Sequence, residues 1–182
     1  MRHIPNLICL FRIVLIVPLV IAMRDAEHQR VILLFLLAAV SDGLDGYLAK
    51  RYNWTSDLGR FLDPLADKLL LMTVFITAAW LDIAPWWLTA AAVARDVVIG
   101  VGALIYKLWF GPLNGRPTLI SKINTGMQLA YLLAVILTSA SGFPPREIID
   151  ALAVVVLITI VLSGADYVGR FARRAFAHTA AR

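Results

Sequence analysis

"NLICLFRIVLIVPLVIAM", Asn6 to Met23, is apolar after its first residue except for Arg12. Two readings compete: a leader that is removed, or a span that stays. A leader carries its charge ahead of the apolar core, whereas here Arg12 interrupts the interior and further apolar segments follow, so the stretch reads as a retained span. Crossing hydrocarbon takes about 20 mostly apolar residues. Segments meeting that requirement lie near 5–23, 29–49, 60–81, 84–108, 120–142 and 147–170.

The chain has 182 residues, is 60% hydrophobic and carries a formal charge of +5, a balance foreign to soluble globules. In lipid an apolar segment must satisfy its own backbone, so every span is expected to be an α-helix. The connections "RDAEHQR", "KRYNWTSDL", "LDIAP", "KLWFGPLNGRPT" and "GFPPRE" are short. The expected fold is therefore all-α, a polytopic membrane bundle of six transmembrane helices forming one domain over 1–182. Cys9 is the single cysteine, which excludes an intrachain disulfide and a cysteine zinc site. No nucleic-acid partner is expected; membrane lipids are.

Positive charge is unevenly shared. Arg2, Lys50, Arg51, Arg60, Lys107, Arg116, Lys122, Arg170, Arg173, Arg174 and Arg182 fall on one side of such a bundle, and Arg24, Arg30 and Arg146 on the other. The positive-inside tendency puts both termini in the cytoplasm, with the protein in the inner (cytoplasmic) membrane. The basic tail "RFARRAFAHTAAR" reads as a topology signal at anionic headgroups.

On this orientation the end of the second helix and the start of the third face the cytoplasm, and both are acidic. Asp42 and Asp45 are three apart, Asp63 and Asp67 four apart, so each pair shares a helix face. Four converging carboxylates repel one another, and each is costly to keep ionised near lipid. Divalent cations resolve both problems. All-oxygen ligands favour Mg²⁺ or Mn²⁺, and the number of carboxylates suits a pair of cations of the kind that clamps a phosphoryl displacement. The bland alternative pairs these aspartates with Lys50, Arg51, Arg60 and Lys68 as ordinary helix-end charges. Gly43, Gly46, Gly59 and Ala49 strip side chains from the same surfaces, either for a phosphorylated ligand to approach backbone or for close helix packing.

Written out, Asp42-x2-Asp45-Gly46-x2-Ala49-Lys50-x8-Gly59-x3-Asp63-x3-Asp67 resembles the signature of the CDP-alcohol phosphatidyltransferase family. "IPNLICLFRI" is similar to that family's amino-terminal segment, and "FLDPLADKLL" to its subgroup acting on glycerol-based acceptors. Two departures stand out: Lys50, followed by Arg51, occupies the usual arginine position, and Cys9 a usual threonine. The resemblance implies transfer of the phosphatidyl group from CDP-diacylglycerol to a glycerol-type alcohol with release of CMP, in a six-helix, often dimeric enzyme whose site opens to the cytoplasmic leaflet. It further implies that Asp42, Asp45 and Asp63 hold two divalent cations. Asp67 would contact a metal and act as general base. The CDP moiety would be bound by Asp45, Gly46, Ala49, Lys50 or Arg51, and Gly59. An aspartate is a weak base for an alcohol, so Asp67 works only with help from metal and positioning.

The second half is expected to hold the acceptor. Arg95, inside the fourth span, is a candidate anion ligand steadied by Asp96, or else a structural pairing with another span. Arg116, Lys122, Asn124 and Gln128 are expected near the cytoplasmic edge of the fifth span. Members acting on glycerol 3-phosphate usually carry Lys-x-Lys-Thr, but here the text is Lys122-Ile123-Asn124-Thr125, with one cation replaced by an amide. "PTLISKINT", with the preceding Arg95-Asp96, resembles the cardiolipin-forming members. The preferred acceptor is therefore phosphatidylglycerol, whose phosphodiester has a single charge, with glycerol 3-phosphate as the alternative. A cation transporter is the rival of another class; it would set its carboxylates near the midplane, whereas these lie toward one face. His3, His28 and His178 are assigned no catalysis, and Trp86, Trp87 and Trp109 fit interfacial belts.

Overall fold

The computed structural model describes residues 4–52, 57–110 and 118–179, with side chains described for 7–41, 43, 65–105, 108–109 and 118–170. The described residues fold into helices α1 (Ile4–Arg24), α2 (His28–Tyr52), α3 (Asp57–Trp80), α4 (Trp86–Phe110), α5 (Leu119–Ser141) and α6 (Arg146–Thr179). Each expected span coincides with one helix to within a few residues, except at the far end. There α6 runs on from the expected limit near 170 to Thr179. The tail after Gly169 contains no proline or glycine and is rich in alanine and arginine, both good helix formers, so nothing stops the helix where the apolar run ends.

Four helices among the described residues are long and apolar enough to cross a membrane, Leu7–Arg24, Trp86–Ile105, Leu119–Ser141 and Arg146–Arg170; α2 adds a shorter apolar stretch, His28–Ser41. The distribution of side chains is the reverse of a soluble protein's. Arg12, Arg95, Asn124, Gln128, Thr89 and Ser163 are buried, while Leu7, Val14, Val17, Leu104, Val161 and Leu162 are exposed. Apolar surface turned outward costs nothing where the solvent is hydrocarbon, and polar groups turned inward find partners there.

The chain divides into two compact units. The first comprises Met1–Pro85 with Leu132–Arg146. In it α1 packs against both α2 and α3. The buried positions of α1 recur every three or four residues, Cys9, Arg12, Leu15, Leu19 and Ala22, as one helix face requires. Val31, Phe35, Ala38 and Ser41 do the same on α2, and Ala66, Leu70, Val74 and Ala78 on α3. Alanines in these seams let backbones approach, a common device where lipid supplies no hydrophobic drive between helices.

Both α1 and α3 end in the same left-handed cap. At α1, Glu27 N–H donates to the Ala22 carbonyl at 3.0 Å and Ala26 N–H to Met23 at 3.3 Å. At α3, Ile83 N–H donates to Ala78 at 3.0 Å and Asp82 N–H to Ala79 at 3.1 Å. The pivots Ala26 (φ 53°) and Asp82 (φ 55°) take the conformation that glycine adopts without cost.

The second unit comprises Trp86–Tyr131 with Glu147–Arg182. Its α5 starts at a side-chain cap, the Thr118 hydroxyl accepting the Ser121 N–H at 3.1 Å, which sets the register of the residues that follow. On α4, exposed Trp87 and Trp109 lie near opposite ends, roughly 33 Å apart at 1.5 Å per residue. That separation matches a hydrocarbon layer with an aromatic ring at each boundary.

Candidate active site

The acidic signature lies on two helices of the first unit. α2 carries Asp42, Asp45, Gly46, Ala49, Lys50 and Arg51, and α3 carries Gly59, Asp63 and Asp67. The side chains of all of these except Asp67 lie outside the described ones, and Arg116 lies outside the described residues altogether. Among the described residues no cluster of three or more His, Cys, Asp or Glu forms, Asp67 being the one signature carboxylate that could contribute. Its two hard oxygens suit the Mg²⁺ or Mn²⁺ expected from the sequence. At Gly43 an added Cβ would meet no atom of the described residues within 4 Å.

Asp67 is gripped from another helix. Arg12, on α1, donates from Nη1 to Asp67 Oδ1; the arginine side chain is 0% exposed and the carboxylate 36%. A guanidinium inside a membrane helix needs an anion, and one 55 positions away supplies it. The pair links α1 to the last position of the acidic motif and limits how the carboxylate turns. Arg12 stood out in the sequence only as an interruption of an apolar run. That interruption was the available signal of a role, and nothing in the pattern named its partner.

The second unit gathers a different polar set around Arg95. Nη1 of Arg95 donates to Asp96 Oδ1 at 2.6 Å, and both side chains are at most 5% exposed. Nη2 donates to the Ser121 hydroxyl of α5 at 2.8 Å and also to the Ser163 hydroxyl of α6. One residue of α4 thus ties together three helices. Arg95 therefore has both the Asp96 contact expected of an anion ligand held in place and ties to other helices of the kind expected of a structural pairing.

Asn124 continues the same face of α5, three residues after Ser121, and its Oδ1 accepts from the Thr159 hydroxyl of α6 at 3.0 Å. Gln128 follows one turn later; Asn124 and Gln128 are 0% and 1% exposed. Arg95 Nε, Asn124 Nδ2 and Gln128 Nε2 are buried without a hydrogen-bond partner among the described residues. All three are donors. Burying an unpaired donor costs on the order of 1–3 kcal/mol, so a row of them is suited to a ligand rich in oxygen acceptors. Lys122 is placed differently. It is exposed, and two positions from Asn124 put it on another face of α5.

The family model described as CDP-alcohol phosphatidyltransferase matches residues 2–174. The chain is 35% identical to the probable cardiolipin synthase (CMP-forming) of Drosophila melanogaster, over 71% of this chain and 45% of that protein. It is 31% identical to the CDP-diacylglycerol--glycerol-3-phosphate 3-phosphatidyltransferase of Bacillus subtilis, over 92% of this chain and 94% of that protein. To the cardiolipin synthase (CMP-forming) of Rattus norvegicus it is 34% identical, over 72% of this chain and 49% of that protein. It therefore spans about half the length of these two cardiolipin synthases and nearly all of the Bacillus protein. With a match running from the helix of Arg12 past Ser163, the chain belongs to the CDP-alcohol phosphatidyltransferase family of enzymes.

Proposed function

We propose that this chain is a six-span enzyme of the inner membrane that transfers the phosphatidyl group of CDP-diacylglycerol to a glycerol-type alcohol and releases CMP. Both units belong to one catalytic domain, both termini are cytoplasmic, and two copies associate. The observation that carries the reading is the family match over residues 2–174, reinforced by the buried Arg12–Asp67 pair at the end of the acidic motif.

Asp42, Asp45, Asp63 and Asp67 would hold two divalent cations, and Gly46, Ala49, Lys50 or Arg51, and Gly59 would receive the CDP moiety. When bound there, the cations neutralise the pyrophosphate and make CMP a better leaving group. Asp67 accepts the proton of the acceptor hydroxyl as its oxygen bonds to the β-phosphorus of CDP-diacylglycerol and the bond from that phosphorus to the CMP oxygen breaks. Arg12 aims that carboxylate by holding Oδ1. Orientation of this kind matters because an aspartate is too weak a base to act without it.

Arg95, Asn124 and Gln128 form the acceptor subsite, with Arg116 and Lys122 supplying positive charge toward the cytoplasmic edge. Two of these three donors are neutral amides, which favours the singly charged phosphodiester of phosphatidylglycerol. Coverage supports glycerol 3-phosphate instead, since the chain matches 94% of the Bacillus protein and about half of each cardiolipin synthase. One assay separates the two: purified protein with CDP-diacylglycerol and Mg²⁺ or Mn²⁺, offered phosphatidylglycerol or glycerol 3-phosphate, with CMP release followed. Release with phosphatidylglycerol is expected. Release with glycerol 3-phosphate alone would reassign the acceptor, and none with any alcohol would defeat the enzymatic reading.

A further inference from the structure

The first unit contains a cavity of about 220 Å³ that the proposed reaction does not use. Arg24 and His28 line it together with the aliphatic side chains of Val31, Leu81, Ile83 and Ile136. It lies at the end of the unit away from Asp67. Arg12 to Arg24 is roughly 18 Å along α1, and Asp67 to Leu81 roughly 21 Å along α3. Trp80, the last residue of α3, is 74% exposed beside it, at the depth where tryptophan marks the edge of the hydrocarbon.

The charges leave Arg24 available. The last carbonyls of α1, those of Ile21, Ala22 and Met23, are taken by backbone N–H groups of the turn, so the guanidinium is not needed as a helix cap. Of the acidic residues in these turns, Glu27 is bound by Arg30 at 2.6 Å, and Asp25 and Asp82 are exposed and do not line the cavity. A cation and an imidazole sharing a cavity with aliphatic side chains, at headgroup depth, make a lining complementary to an anionic amphiphile. The cavity is smaller than those that enclose drug-sized ligands, so it admits a headgroup and leaves the acyl chains in the bilayer.

We propose that this cavity binds the phosphodiester headgroup of an anionic phospholipid from the leaflet opposite Asp67, with Arg24 and His28 on the phosphate. The aliphatic side chains receive the neighbouring glycerol-ester segment. Such a lipid would join the ends of α1 and α3 to the start of α2, and the proposal does not depend on which acceptor the enzyme uses.

Native mass spectrometry of the purified full chain tests it, with phosphatidylmethanol and phosphatidylcholine as probes. Phosphatidylmethanol is an anionic phosphodiester with no hydroxyl, so it cannot serve as a phosphatidyl acceptor. Wild type is expected to retain it at least fivefold more strongly than phosphatidylcholine. Arg24→Gln combined with His28→Gln should bring the ratio close to one, and Arg170→Gln, a cation of the other unit, should leave it unchanged. Val31→Trp, which fills the cavity, should reduce retention of phosphatidylmethanol. A preference that survives both cavity variants would overturn the site, and displacement of the lipid by millimolar inorganic phosphate would overturn the lipid as its occupant.

Discussion

Arg12 and Arg95 are both buried in apolar helices, one in each unit, and their surroundings differ in kind. Arg12 meets a carboxylate brought from a distant part of the chain, and that carboxylate closes the acidic motif. Arg95 meets the carboxylate of the next residue and the hydroxyls of two further helices. The first arginine is therefore suited to aiming another group. The second is itself aimed. A buried cation in a membrane helix marks a functional place, but only its partners say which function.

The largest effect expected is on the group that Arg12 aims. Asp67→Asn should lower CMP release by about a thousandfold, within the range for loss of a general base, while CDP-diacylglycerol binding changes only a few-fold. Near-normal turnover would remove Asp67 from the reaction and, with it, the distinction between the two arginines.

Stability sharpens the comparison. Asp67→Leu takes an anion from a guanidinium that is 0% exposed, whereas Arg12→Leu takes a cation from a carboxylate that is 36% exposed. The first should destabilise the protein by about 2–4 kcal/mol and the second by less, because losing an ionic partner costs more at the more deeply buried charge. Thermal unfolding in one detergent would rank them, and the reverse order would contradict the burial argument.

In the second unit, Arg95→Lys keeps the charge and loses the planar fork that reaches Asp96, Ser121 and Ser163. It should cut kcat/KM for the acceptor by about 10- to 100-fold with little change in KM for CDP-diacylglycerol. Ser163→Ala removes one tie and should cost about fivefold, in keeping with a hydrogen bond of roughly 1 kcal/mol. Equal losses for both lipid substrates would mean that Arg95 supports the bundle and does not read the acceptor.

The smallest effect is expected at the far end of α1 from Arg12. Ala26→Gly places at the α1 cap the residue that its φ of 53° favours, and should raise stability by up to about 1 kcal/mol without altering turnover. A loss of activity there would show that the two ends of the first unit are coupled.

Much of the architecture was legible because lipid imposes one rule on every span: an apolar run of sufficient length is a helix. All six expected segments are helices, four of them among the described residues long and apolar enough to cross a membrane; the expected limit fails beyond Arg170, where α6 continues because alanine and arginine sustain a helix without lipid's help. The acidic motif is read from helical spacing and residue type; its residues lie on α2 and α3, with the side chain of Asp67 among the described ones. The Arg12–Asp67 pair was not, because a local pattern cannot reveal a partner 55 residues away. Ser163 was hidden for a simpler reason: in "VLSGAD" it passes for a small packing residue, and only its contact with Arg95 gives it a role. Asn124 and Lys122 looked alike as members of one polar stretch, yet the helix turns one inward and leaves the other exposed.

The central claim is that a buried arginine presents the reacting carboxylate, and a double-mutant cycle on CMP release tests it directly. Arg12→Gln, Asp67→Asn and the combination would be compared with wild type in preparations shown to be folded by gel filtration. Residues acting as one unit lose their function once, so Arg12→Gln should fall nearly as far as Asp67→Asn, and the pair no further. Full turnover in Arg12→Gln, or losses that multiply in the double variant, would contradict it.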